Sequence, residues 1–298
     1  MAYIIATDSG CDLSPATLSE WGVISADLTF RFDGEDQEYS NREMSPKAFY
    51  DKMRAGGISR TSAVNREIFK ELFRPALEAG DDILYIGFDS GISTTSEQGI
   101  AAAKELAEEY PDRKIIAIDT LCASGGQGLL VWLTINRKKA GATLDEAAAF
   151  VQNLCPSIAT WFTVDDLVYL KRGGRVSAAA AFAGNLLNIR PVLHVDDEGK
   201  LINMFKMRGR KASLSSLVDQ YIKLGSSIGT DGKVTGSAAD GVPYVINHAD
   251  AAEDAALVEK MIFEKTGRKA EFIADVGPVI GSHTGPGIIV LSFSTKER

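Results

Sequence analysis

Four short segments place hydroxyls and short acids where an extended run gives way to a helical one. They are Thr7-Asp8-Ser9, Thr61-Ser62, Ser90-Gly91-Ile92-Ser93-Thr94-Thr95 and Asp119-Thr120. The free N–H groups at a helix start favour an anion, and neutral hydroxyls beside them add donors. Taken singly, each segment reads first as an N-cap. Taken together on one sheet edge, they point to an anion site. Asp8 and Asp119 argue against a bare phosphate there, whereas a single carboxylate head group needs few donors.

Two patches stand out in the second half. Tyr169-Leu170-Lys171-Arg172-Gly173-Gly174-Arg175-Val176 brackets a double glycine with cations. It either aims Arg175 at an anion or ends a helix, with cations at the favourable end. Ile280-Gly281-Ser282-His283-Thr284-Gly285-Pro286-Gly287 fixes the backbone around one histidine just ahead of a strand. His194 and His248 lie inside strand-like sequence and read as structural, which leaves His283 as the candidate donor to an anion. Between the patches, Val176 to Ile189 is charge-free and rich in small side chains, flanked by Arg175 and Arg190. It reads as core packing or, more sharply, as the wall of an apolar tunnel that also touches a membrane surface.

The elements that must carry these residues alternate. Strands are expected at Tyr3 to Thr7, Ile83 to Phe88 and Lys114 to Ile118, with Val23 to Phe32 extended. Helices follow Ser14-Pro15 and Ser45-Pro46, then Ile68 to Leu77, Ser96 to Tyr110, Ser124 to Arg137 and the segment after Thr143. Such alternation predicts a mostly parallel sheet covered by helices, with ligands at the strand C-termini. Beyond Cys155-Pro156 the pattern changes. A strand at Ala159 to Val164 precedes a short helix at Asp165 to Leu170. A hairpin turns at Asp196-Asp197-Glu198-Gly199, a helix spans Lys211 to Leu224, and Gly225 to Gly241 reads as an exposed mobile loop. Strands at Pro243 to Asn247, Ala270 to Ala274 and Gly287 to Phe293, with a helix at Ala251 to Lys265, complete a mixed α/β domain. The expected division is an N-terminal α/β domain over 1–157 and a C-terminal mixed domain over 158–298, with the ligand between them.

Length agrees, since 298 residues correspond to about two domains of ordinary size. The net charge of −8 argues against a nucleic-acid partner. Cys11, Cys122 and Cys155 show no paired spacing, which fits a reducing cytoplasm. The N-terminus has no basic region ahead of an apolar run, so it does not read as a signal peptide. The charge-free run Thr120 to Asn136 is too short and too polar to cross a bilayer, so the chain reads as soluble. No phosphate loop, dinucleotide fingerprint, nucleophile elbow or clustered metal ligands occur, so neither metal nor cofactor is expected.

The ordered set of motifs resembles the DegV family of fatty-acid-binding proteins, the B subunits of bacterial fatty acid kinase. The resemblance runs through Thr7-Asp8-Ser9, Arg60-Thr61-Ser62, Ser90 to Thr95, Ile118-Asp119-Thr120 and Gly126-Gln127-Gly128. It continues through Tyr169 to Arg175, Asn188-Ile189-Arg190-Pro191-Val192-Leu193, Lys206 to Lys211 and Gly277 to Gly287. It implies a fatty acid in an interdomain tunnel and a kinase subunit that phosphorylates the bound carboxylate to an acyl phosphate. On that resemblance Thr61, Ser62, Ser93, Thr94, Arg175 and His283 hold the head group. Ala178, Ala181, Phe182 and Leu186 line the tunnel, and Arg208 is the kinase contact. A transient peripheral membrane contact fits the same picture. Two departures stand out: Thr94 occupies a usual glycine position, and Ala63-Val64 replaces the commoner Gln-Pro.

Two other functions compete. One is a hydrolase or acyltransferase using Ser93 or Ser62 with His283, although no acid is visibly placed to orient the histidine. The other is a dihydroxyacetone-type transferase relative, against which the alanine- and leucine-rich stretch argues.

Overall fold

The strand–helix alternation of the first half builds a four-stranded parallel sheet. In the computed structural model, which describes residues 2–176, 188–235, 241–296 and 298, its order is β2-β1-β6-β7. These strands are β1 (Tyr3–Asp8), β2 (Val23–Ala26), β6 (Asp82–Gly87) and β7 (Ile115–Asp119). The connecting helices α1 (Pro15–Trp21) and α2 (Pro46–Arg54) start at Ser14 and Ser45, each with proline in the first turn. Helices α3 (Arg66–Glu78) and α4 (Thr95–Glu109) flank the sheet. Val23 to Phe32 is not one strand. After β2 the chain turns into β3 (Thr29–Phe32), which joins β4 (Tyr39–Ser40) and β5 (Ser59–Ser62) in a separate antiparallel sheet, order β4-β3-β5.

Helix α5 (Gly125–Lys139) joins the two halves. Residues Gly125 to Val131 are buried without interruption, as in a helix covered on all sides. It packs on β1 and β6 and also against strands of a second sheet. Helix α6 (Leu144–Leu154) follows, started by a Thr143–Glu146 capping box.

The second sheet has six strands in the order β10-β9-β8-β15-β13-β14. They are β8 (Ile158–Thr163), β9 (Ile189–Val195), β10 (Leu201–Arg208), β13 (Tyr244–His248), β14 (Ile273–Asp275) and β15 (Ile289–Ser294). All pairings are antiparallel except β13–β14. Helices α8 (Arg210–Leu224) and α9 (Ala252–Thr266) cover its outer face, and α5 faces its inner one. The whole is an α/β fold with a parallel sheet flanked by helices and a mixed sheet. The parallel sheet falls within residues 3–119 and the mixed sheet within 158–294.

Three local expectations need correcting. Helix α7 (Val168–Arg172) begins three residues later than Asp165, preceded by a turn in which Asp166 Oδ1 accepts from Val168 N at 2.9 Å. Residues 225–235 are no free loop: β11 (Ser227–Ile228) pairs with β12 (Val234–Thr235), and Ser226 is buried; residues 236–240 lie outside the described residues. The glycine-framed histidine segment contains a helix, α10 (Pro278–Thr284), started by Pro278. The small-residue stretch 177–187, with Ala178, Ala181, Phe182 and Leu186, lies outside the described residues.

Candidate functional site

An apolar cavity of about 380 Å³ lies between the two halves. Leu28, Phe88 and Ile92 line it from the first half, and Phe162, Leu170 and Val195 from the second. A polar cluster of Thr61, Ser93, Thr94, Arg175 and His283 opens onto the same space.

Helix α10 and strand β5 assemble its centre. Strand β5 alternates its side chains: Ser59 and Thr61 face α10, while Arg60 and Ser62 face away. Ser282 Oγ donates to Ser59 Oγ at 2.7 Å, and Thr61 Oγ1 lies 2.8 Å from His283 Nε2. Arg60 pairs with Asp33, and the exposed Ser62 donates to Glu38 at 3.2 Å. The expectation that Thr61 and Ser62 act together is therefore corrected. Neighbours in a strand point to opposite faces, and Ser62 does not line the cavity.

His283 is neutral at pH 7. Burial, with the charge of Arg175 second, pulls its pKa down from 6.5 to about 4. Its Nδ1 has no hydrogen-bond partner among the described residues. Gly173 lies against that nitrogen so closely that a Cβ there would fall 2.0 Å from it. The unfolded chain binds the proton between about 6.5 and about 4 and the native chain does not. Stability contributed by this group therefore falls as pH drops through that window. His283→Gln is expected to lose that dependence, seen as a flatter difference in urea denaturation between the two ends of the window.

Arg175 lines the cavity, but most of its guanidinium is engaged. Nε and Nη2 donate to Ile92 O at 3.1 and 2.8 Å, and Nη1 to Gly173 O at 2.6 Å. It ties the loop before α4 to the turn after α7. On that loop Ser93 Oγ lies 2.9 Å from Thr95 Oγ1 and accepts from Thr95 N at 3.3 Å. Thr94, exposed at the start of α4, makes no capping bond with its side chain.

The remaining hydroxyl–acid segments are structural. Asp8 is fully buried and accepts from Tyr85 Oη at 2.7 Å and Phe88 N at 2.9 Å; burial raises its pKa to about 6. Asp119 accepts from Ser90 N and Leu121 N, and Thr120 donates to Gly87 O. Thr61-Ser62 is not on the parallel sheet edge at all. Sequence reasoning also passed over Thr160 and Ser124, which line the cavity. The available signal was a threonine set inside the otherwise apolar Ile158-Ala159-Thr160-Trp161-Phe162 strand.

A serine nucleophile would need a serine on His283. Its Nε2 is bonded to Thr61, and Ser93 and Ser62 are bonded elsewhere. No carboxylate is hydrogen-bonded to Nδ1 among the described residues. The described residues contain no group of three or more metal-ligating side chains, and no described helix is long and apolar enough to cross a membrane. Arg208 is exposed at the end of the edge strand β10, with no side-chain ion pair among the described residues.

Residues 3–296 match a family model described as "Uncharacterised protein, DegV family". A DegV domain-containing protein of Clostridium perfringens is 39% identical over 298 residues, covering 99% of each chain. Another, from Streptococcus pyogenes serotype M3, is 33% identical, covering 98% of this chain and 97% of that one. Among solved structures, a DegV protein of Thermus thermophilus described by its fatty acid binding superposes with a TM-score of 0.84. It is 26% identical and covers 99% of this chain and 100% of its own. A fatty acid binding DegV protein of Streptococcus agalactiae superposes at 0.79, with 27% identity and full coverage of both chains.

Proposed function

This chain belongs to the DegV family, and on that premise we propose that it binds one long-chain fatty acid and presents the carboxylate to a partner kinase. The observation that carries the reading is the apolar cavity with one polar cluster on its wall. Burying an acyl chain gains about 0.8 kcal/mol per methylene, so affinity comes from the tail. Thr61, His283, Ser93 and Thr94 orient the head group with neutral donors, and Arg175 adds a positive charge. The 1–157 and 158–298 domains form the two walls.

In the proposed reaction a carboxylate oxygen attacks the γ-phosphorus of ATP held by the partner. The bond to the bridging oxygen breaks, ADP leaves with that electron pair, and an acyl phosphate results. No proton moves to or from the carboxylate, so this chain needs no acid–base pair and acts as a substrate-presenting subunit without activity of its own. Arg208 on the exposed end of β10 is the proposed kinase contact. The three unpaired buried cysteines are compatible with a cytoplasmic setting. A transient peripheral membrane contact would supply and return the ligand.

Purified protein is expected to release a long-chain fatty acid on denaturation, detected by mass spectrometry, and to form acyl phosphate only with ATP and the kinase subunit. No fatty acid in the extract, and none bound when one is added, would overturn the reading.

A further inference from the structure

A second polar patch lies in the same cavity wall, on elements other than those of the His283 cluster. It begins with Ser124, the residue before α5, and Thr160 of β8, both almost fully buried. Thr160 Oγ1 lies 3.1 Å from Ser292 Oγ, its register partner on β15. On the next strand stands Asn247, fully buried, with neither Oδ1 nor Nδ2 bonded among the described residues. The first turn of α5 rests on this row. A Cβ on Gly125 would fall 2.5 Å from Asn247 Oδ1 and 3.2 Å from Ser292 Oγ; one on Gly126 would fall 2.5 Å from Thr160 Oγ1. Ser124 has a positive φ of 50° and donates to Asp12 Oδ2 at 2.6 Å.

Apolar packing alone calls for valine or alanine at these positions, because a buried hydroxyl or amide costs stability unless it is paired. Ser124 and Thr160 nevertheless present hydroxyls to the cavity. Ser124 Oγ points its one hydrogen at Asp12 Oδ2, which leaves its lone pairs to accept. Thr160 Oγ1 shares one bond with Ser292 and retains capacity for another. Asn247 does not line the cavity; it lies against the first turn of the 15-residue α5, at the positive end of that helix.

We infer that Ser124 and Thr160 form a second polar subsite of the cavity, and that it takes a hydroxyl carried along the acyl chain. The ligand class is a hydroxy fatty acid, its carboxylate at the His283 cluster and its hydroxyl between Ser124 and Thr160. The inference rests on the fatty-acid reading given above. A chain hydroxyl donating to Ser124 Oγ and accepting from Thr160 Oγ1 is paired on both sides, so it enters the cavity without loss. The unsubstituted chain leaves both protein hydroxyls facing methylenes.

Delipidated full-length protein titrated calorimetrically with stearate and with monohydroxystearates of successive hydroxyl position tests this. At least one isomer is expected to bind about fivefold or more tighter than stearate, the worth of about one net hydrogen bond. Thr160→Val, which keeps the shape and removes the hydroxyl, is expected to erase that preference. Should Thr160→Val fail to fold, Ser124→Ala carries the same comparison. If stearate binds as tightly as every isomer, or the preference survives the substitution, the inference is overturned and fatty-acid binding stands. If neither stearate nor any isomer binds, the fatty-acid reading falls and this inference with it.

Discussion

Gly173→Ala is expected to drive His283 out of its seat. The added methyl would lie 2.0 Å from Nδ1, far inside van der Waals contact, with Cε1 at 3.0 Å and Cγ at 3.1 Å. The backbone at Gly173 is right-handed, φ −76° and ψ −7°, so alanine meets no conformational strain there. The whole effect is steric, and overpacking of this kind costs about 1–3 kcal/mol. The neighbouring Gly174 is the internal control. Its φ is +73° and nothing lies within 4 Å of a Cβ there. Gly174→Ala should therefore cost about 1–2 kcal/mol in backbone strain and leave the histidine in place. Thermal denaturation together with fatty-acid titration separates the two. Gly173→Ala loses stability and head-group binding together, whereas Gly174→Ala loses stability alone. Adding His283→Ala to Gly173→Ala should restore stability, because the clash has lost one partner. Equal behaviour of the two alanine variants would show that His283 is not seated on Gly173.

The second large effect is expected from Ala123→Phe. Ala123 is buried in the cavity wall. A phenyl ring there occupies the space of roughly four methylenes of the ligand, and at about 0.8 kcal/mol each this removes about 3 kcal/mol of binding, on the order of a hundredfold in Kd. The loss should depend on chain length. Long acids lose the full amount, while short ones that end before Ala123 lose little. Titration with a series of saturated acids reads this directly. A uniform loss across the series would mean that the ring disturbs the head-group site, not the path of the chain.

Much of the architecture was legible because its signals are local. Ser14-Pro15, Ser45-Pro46 and the Thr143–Glu146 box each mark a helix start with a side chain that bonds the first turn. Asp196 to Gly199 marks a hairpin tip, with Asp196 Oδ1 accepting from Glu198 N and Lys200 N. Strand β5 has no such signal. Ser59-Arg60-Thr61-Ser62 holds three hydroxyls and a cation, and it is a strand only because β3 pairs with it. Without that strand the opposite facing of Thr61 and Ser62 is invisible. The Thr61–His283 bond spans 222 residues, and no spacing rule reaches that far. The glycines and proline framing it singled out His283, while its pairing with Thr61 required the fold. The segment after Gly225 was misread for the converse reason: its glycines and serines have loop composition, and its order comes from packing and from pairing with β12.

The position of β15 has a consequence for synthesis. It is the last of the described strands to leave the ribosome, yet it sits at the centre of the mixed sheet, between β8 and β13. Until it arrives, those two strands present open edges that can pair with another chain. Helix α10, which brings His283, emerges only just before it. A nascent chain can complete its parallel sheet early, since domains fold from the N-terminus as they appear. It then carries an unfinished apolar cavity through more than half of translation. Chains interrupted late, after β14 but before β15, should therefore be the aggregation-prone and protease-sensitive ones, more so than chains stopped soon after α6.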